Sequence, residues 1–123
     1  MAQPARILVV DDEPAILLTY TAILQQNGYT VTGVDSVEEA KKALRANAFE
    51  VLLCDLTLAG RSGLEVVEFA REQSPGIEAL LLTGFADPET AIEAAGKRVV
   101  LMYKPLEVAH LLRTIELLAA KRG

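Results

Sequence analysis

Five polar residues in this 123-residue chain stand where runs of apolar residues stop. Asp11 and Asp12 follow Arg6-Ile7-Leu8-Val9-Val10, and Asp55 ends Phe49-Glu50-Val51-Leu52-Leu53-Cys54. Thr83 closes the run that starts at Ile77, and Lys104 follows Val99 to Tyr103. A bare carboxylate is costly inside a strand buried on both faces, which places Asp55 at a carboxyl end facing a crevice. Crowded carboxylates repel one another and raise a pKa unless a cation intervenes. The natural cation is hard and oxygen-seeking, Mg²⁺ (or Mn²⁺), held by one or two carboxylates with water and phosphate. A carboxylate is also a nucleophile able to accept phosphate. Such transfer depends on in-line positioning and on neutralising the phosphoryl oxygens more than on acid–base groups. On this reading Asp55 accepts a phosphoryl group, with Lys104 and the metal supplying positive charge. Thr83 donates a hydrogen bond to one phosphoryl oxygen once it has arrived.

These residues come together only if the runs that carry them are parallel strands of one sheet. The pattern supports this, because apolar runs alternate with amphipathic segments throughout. Pro14 suits a first helical turn, and the helix runs to about Asn27 with Ile16, Tyr20, Ile23 and Leu24 inward. Gly28 stops it. Tyr29 to Val34 is the second strand. Ser36-Val37-Glu38-Glu39 has capping-box spacing and opens a helix to Ala46, with Val37, Ala40 and Leu44 inward. After the central strand, a loop from Thr57 to Arg61 leads to a second capping box, Ser62-Gly63-Leu64-Glu65. Its helix runs to Ser74, with Leu64, Val67 and Ala70 on one face. Pro75-Gly76 is a turn, Ile77 to Thr83 the fourth strand, and Asp87-Pro88 caps a short helix through Ala95. Val99 to Tyr103 is the fifth strand. The last helix carries Val108, Leu111, Leu112, Ile115 and Leu118 as one stripe. Five strands alternating with five helices predict an α/β, doubly wound parallel sheet with right-handed crossovers. Such sheets bind ligands beyond the strands' carboxyl ends.

Composition bounds the rest. Hydrophobic residues at 51% are too many for a disordered chain, and the length suits one domain, 1–123. No uninterrupted apolar run approaches the ~20 residues of a membrane helix, and Met1 to Arg6 lacks a signal-peptide core. A single cysteine excludes an internal disulfide and suits a reducing compartment, so a cytoplasmic location is expected. The net charge of −5 opposes direct nucleic-acid binding, and no membrane association is expected.

Asp11-Asp12, Asp55, Thr83-Gly84 and Lys104-Pro105, in this order at these strand ends, resemble the receiver domain of two-component response regulators. The resemblance covers essentially the whole chain. It implies the flavodoxin-like strand order 2-1-3-4-5 and a regulatory phosphoacceptor rather than an enzyme. It also implies phosphorylation of Asp55 by a histidine kinase or phosphotransfer protein. Asp12 would bind the metal directly, Asp11 would assist, and the Thr57 backbone carbonyl would complete the site. Lys104 would pair with the phosphoryl group, Lys104-Pro105 would be cis, and Thr83 would be the switch hydroxyl. An output domain in cis or trans, and a homodimer, are compatible with the family; the chain's ending at Lys121-Arg122-Gly123 fits a stand-alone or an excised receiver.

Two positions, Leu101 and Ala59, depart from the family's pattern. Its aromatic switch position is Leu101 here, and Tyr103, on the same side by strand alternation, is the substitute candidate. The usual loop proline is Ala59, expected to loosen a turn without touching chemistry. Phe85 and Thr57, two residues past Thr83 and Asp55, flank the mouth of the site and offer no acid or amide to orient water, so slow autodephosphorylation is expected.

Other readings are weaker. Asp12 alone could be a helix cap and Thr83-Gly84 a turn. Cys54 points away from Asp55 and reads as a core thiol; His110, the only histidine, reads as a surface residue. A flavin carrier would need a phosphate loop where Asp11-Asp12-Glu13 repel phosphate, and G-x-G-x-x-G is absent. The competing function is a pseudo-receiver, the same fold used as a protein-binding module without phosphorylation.

Overall fold

The computed structural model describes residues 4–85 and 87–121. Residues 1–3 of the leader reading, and residues 122–123 of the chain-end reading, lie outside the described residues. In chain order the elements are β1 (Arg6–Val10), α1 (Pro14–Gln26), β2 (Thr30–Val34), α2 (Val37–Ala46) and β3 (Val51–Asp55). They continue with β4 (Thr57–Leu58), β5 (Arg61–Ser62), α3 (Gly63–Gln73), β6 (Glu78–Thr83), α4 (Pro88–Gly96), β7 (Val100–Tyr103) and α5 (Val108–Ala120). Five strands form one parallel sheet in the order β2-β1-β3-β6-β7. Counting only these five, the order is 2-1-3-4-5, a flavodoxin-like doubly wound sheet.

Strand alternation divides the interior into two cores. Leu8, Val10, Leu52, Cys54, Ala79 and Leu81 face one way and pack with Val37, Ala40 and Leu44 of α2, Leu64, Val67 and Ala70 of α3, and Ala94 of α4. Ile7, Val9, Val51, Leu53, Leu80, Leu82 and Met102 face the other way and meet Leu24 of α1 and Leu111, Ile115 and Leu118 of α5. Each buried aliphatic side chain contributes roughly 1.5–3 kcal/mol relative to exposure. The central strands are therefore apolar on both faces, and every residue of β3 is buried.

Local signals explain three of the helix ends. Ser36 Oγ accepts the Glu39 N–H at 3.1 Å, and Asp87 Oδ1 accepts the Thr90 N–H at 2.7 Å, each satisfying an orphan donor. Gly28 takes φ +91 after α1, the left-handed stop that glycine adopts freely. Arg71 fixes α3 to its surroundings, donating to the Ile77 carbonyl at 2.9 Å and the Lys97 carbonyl at 2.5 Å.

Four details differ from expectation. The inner side of α1 is Leu17, Tyr20 and Leu24, while Ile16 and Ile23 sit half-buried at its margins. Val108 is exposed, because the stripe of α5 begins one turn later at Leu111. The second capping box is half-formed. Ser62 Oγ accepts from Leu64 N–H at 3.1 Å, whereas Glu65 turns outward to Arg61 and Lys41. Finally, the expected loop at Thr57 to Arg61 is a two-residue hairpin, with β4 and β5 pairing as Thr57 with Ser62 and Leu58 with Arg61. Its tip, Ala59-Gly60, has φ +49 and +84, the paired positive angles of a type I′ turn. None of the helices among the described residues is long and apolar enough to cross a membrane.

Candidate phosphoacceptor and metal site

The register of the sheet brings the five candidate residues to one edge. Asp55 is the last residue of β3, one step beyond the Val10–Cys54 pair that leads to Asp11 on the neighbouring strand. On its other side Asp55 pairs with Leu82, next to Thr83, and Thr83 pairs with Tyr103, next to Lys104. Backbone bonds tie the exits together. Leu56 N–H donates to Leu82 O at 2.8 Å, and Lys104 N–H donates to Thr83 O at 2.7 Å.

Both oxygens of the Asp55 carboxylate are engaged. Oδ2 accepts from Lys104 Nζ at 2.9 Å and Oδ1 accepts from the Thr57 N–H at 3.1 Å. Burial works against the charge of Lys104, yet the hydrogen bond and charge of Asp55, with Asp11 and Tyr20 beyond it, hold the ammonium's pKa above its ordinary value. Asp11 is 1% exposed. Its Oδ1 accepts from Glu13 N–H at 2.9 Å, while Oδ2 is buried without a partner. Burial raises the Asp11 pKa; the Glu13 hydrogen bond opposes this, Asp55 adds to it, and Lys104 counters. Asp12 is exposed, and its Oδ2 accepts from the Ala59 N–H at 3.0 Å.

One carboxylate oxygen from each of Asp11, Asp12 and Asp55 lies within 4.8 Å of the others. An all-oxygen anionic set with an orphaned buried carboxylate atom matches the donor chemistry of a hard divalent cation. Unpaired buried polar atoms are rare in folded proteins, and a cation on Asp11 Oδ2 removes this one.

The remaining candidates divide. Thr83 is buried at the site edge, but its hydroxyl is occupied by a local turn. It donates to Phe85 O at 2.6 Å and accepts from Phe85 N–H at 3.1 Å. The Phe85 ring is 77% exposed, bordering an open depression of about 380 Å³ with Leu56, Thr57 and Arg61. Leu101 packs against the core on the face that α2, α3 and α4 cover, whereas Tyr103 is half-exposed on the edge strand β7. The two line one shallow depression with Pro105, Leu106 and His110. The Lys104-Pro105 peptide is cis. Cys54 is buried in the core away from the carboxylates, and His110 is exposed.

Three contributors escaped the sequence reading. Gly63 N–H donates to Leu56 O at 2.5 Å, and a Cβ at Gly63 would collide with the backbone carbonyl oxygen of Asp55. A glycine directly after the capping Ser62, where it gives a helix nothing, was the available signal. Ala59 was expected to leave chemistry untouched; its amide instead bonds a candidate metal ligand. The signal there was weak, since type I′ tips favour Asn-Gly over Ala-Gly. Tyr20 lies within electrostatic reach of Lys104, Asp11 and Asp55. Burial raises its phenol pKa, Lys104 opposes, and the two carboxylates add to the rise. Apolar periodicity identifies a stripe but not which member reaches the sheet edge.

Residues 7–116 match the family model described as the response regulator receiver domain. The alginate biosynthesis transcriptional regulatory protein AlgB of Pseudomonas aeruginosa is 36% identical over 89 residues, covering 72% of this chain and 20% of that protein. A receiver domain protein (CheY-like) from Methanospirillum hungatei superposes with a TM-score of 0.89 at 30% identity, over 96% of both chains. The beryllofluoride-activated NtrC4 receiver domain dimer gives a TM-score of 0.87 at 30% identity, over 96% of this chain and 98% of that one. The chain spans about a fifth to a quarter of the length of the curated relatives it matches.

Proposed function

The chain belongs to the response regulator receiver domain family, and from that premise we propose that it receives a phosphoryl group on Asp55 and passes the change to a partner surface. The observation that carries the reading is the pairing of Asp55 with Lys104 at 2.9 Å, beside two further carboxylates whose oxygens converge with its own. A lone buried Asp would be a liability, whereas one flanked by a fixed ammonium and a cation-binding pair is equipped for phosphoryl chemistry.

Receiver domains are regulatory parts of two-component systems and work with histidine kinases and output domains. For this chain the phosphodonor is a histidine kinase or phosphotransfer protein. Asp11, Asp12 and Asp55, with the Thr57 carbonyl, would hold Mg²⁺ or Mn²⁺. When bound, the metal neutralises phosphoryl oxygens as charge develops on them. The Asp55 carboxylate attacks phosphorus in line, the donor's nitrogen leaves, and an aspartyl phosphate remains. Lys104 stays on the carboxylate side to pair with the incoming oxygens. Thr83 then exchanges Phe85 for a phosphoryl oxygen. The added charge of roughly −1.5 to −2 biases this loop and the α4–β7–α5 face, including Leu101, Tyr103 and Pro105. The whole of 1–123 acts as one such domain, and a homodimer or an output domain reads the changed face.

Asp55→Asn tests the acceptor directly. Labelling by acetyl phosphate with Mg²⁺ should vanish in the variant, and persistent labelling would move the acceptor elsewhere. Beryllofluoride separates the pseudo-receiver, because a chain used only as a binding module would not take up the complex with Mg²⁺.

A further inference from the structure

Asp12 is the most exposed of the three clustered carboxylates, and one of its oxygens is already held by the protein. The Ala59 N–H donates to Asp12 Oδ2 at 3.0 Å across 47 residues of sequence. This amide is free to do so because of the turn it belongs to. In a two-residue hairpin of type I′ the closing bonds involve the flanking residues, here Leu58 and Arg61, so the first tip residue keeps its N–H for an outside acceptor. A non-glycine residue at φ +49 is uncommon, because its Cβ crowds the backbone there. The hairpin is braced elsewhere. Arg61 on its return strand donates to Glu38 of α2 at 2.7 Å and pairs with Glu65 of α3. Thr57 on its outgoing strand donates to Asp55 at 3.1 Å. The same small hairpin therefore touches two of the three clustered carboxylates, through the strand amide of Thr57 and the tip amide of Ala59, while the third, Asp11, has a buried oxygen without a partner.

We propose that Ala59 is a positioning residue for the cation: its left-handed backbone aims the amide that holds Asp12 Oδ2 and so presents the other Asp12 oxygen to the metal. Carboxylates that bind metals are themselves oriented by hydrogen bonds from a surrounding layer, and loss of such a partner costs about 10- to 100-fold in metal affinity. The role belongs to the backbone rather than to the methyl group, which makes it invisible to alanine scanning. It rests on the metal-site reading given above.

The decisive variant replaces Ala59 by L-lactate, which removes the N–H and keeps the side chain and the backbone angles. Mg²⁺ affinity, measured by calorimetry on the full chain, should fall about tenfold or more. Ala59→Gly keeps the donor and suits positive φ, so its affinity should stay within about twofold of the parent. In a ¹⁵N-labelled sample the residue-59 amide should move on Mg²⁺ addition and lose its hydrogen-bonded shift in Asp12→Ala, which removes the acceptor. An ester variant that binds Mg²⁺ as the parent does would overturn the proposal. Asp12→Ala keeps the two failures apart. If it too left Mg²⁺ binding unchanged, the metal-site reading would fall; if it abolished binding while the ester did not, only the role of Ala59 would fall.

Discussion

Cys54 and Asp55 are adjacent and have opposite fates, because a strand turns successive side chains to opposite faces. Burial, with Asp55 and Asp11 adding to it, lifts the Cys54 thiol well above its ordinary pKa. The folded chain therefore keeps its proton while the unfolded chain gives it up, so this residue's contribution holds below the ordinary thiol range and is lost as pH rises through and above it. Iodoacetamide at pH 8 should leave the native thiol unmodified and alkylate it in urea; rapid alkylation of the native protein would show the site to be open. At the acceptor, Thr57 and the exposed Phe85 carry no acid or amide. The aspartyl phosphate should persist for minutes or longer at neutral pH, and decay within seconds would require a water-orienting group elsewhere. The residue types of Asp11, Asp12, Asp55 and Lys104 were legible because a charge ending an apolar run has few structural uses. The engagement of Thr83 with Phe85 was not, since a short-range turn and a long-range bond use the same hydroxyl.

Elements were legible where one physical signal dominates. Two-sided apolar runs gave β1, β3 and β6, and Pro14, Asp87-Pro88 and Gly28 fixed helix ends. The miss at Thr57 to Arg61 has a plain cause. A hairpin with two-residue strands has no periodicity to detect, and its tip lacks the Asn-Gly that would announce it. The start of α3 is a tight joint. Gly63 lies against the Asp55 backbone so closely that a methyl group must push β3 or α3 aside. Gly63→Ala should cost roughly 1–3 kcal/mol, the usual penalty of overpacking, offset only in part by alanine's better helix propensity. Urea unfolding measures it, and an unchanged midpoint would mean that the joint yields freely. Because the shifted atoms belong to Asp55, phosphorylation rate should fall in the same variant.

At the scale of the whole molecule, parallel strands bring the residues that end them to one edge, which alternation of strands and helices predicted, whereas the order 2-1-3-4-5 came from the family resemblance. The division of the core into two clusters, with α1 and α5 on one side and α2, α3 and α4 on the other, follows from the same rule. Three converging carboxylates against one ammonium make a site that favours the folded chain more when a cation is present. At Mg²⁺ a hundredfold above its dissociation constant the stabilisation should reach about 2.7 kcal/mol by mass action. Thermal unfolding with and without Mg²⁺ reads this as an upward shift of several degrees that Asp12→Ala removes. A melting point indifferent to Mg²⁺ would contradict the site.

The closed turn at Thr83 carries a consequence for the resting population. Its hydroxyl both gives and takes a bond with Phe85, so its one proton reaches an outside acceptor only by leaving the Phe85 carbonyl, while its oxygen can go on accepting from the Phe85 N–H. The one bond given up is worth about 1 kcal/mol net of water, so roughly one resting molecule in six would already have broken it. Signalling by this chain would then begin from a mixture, and the phosphoryl group would act by selecting within it.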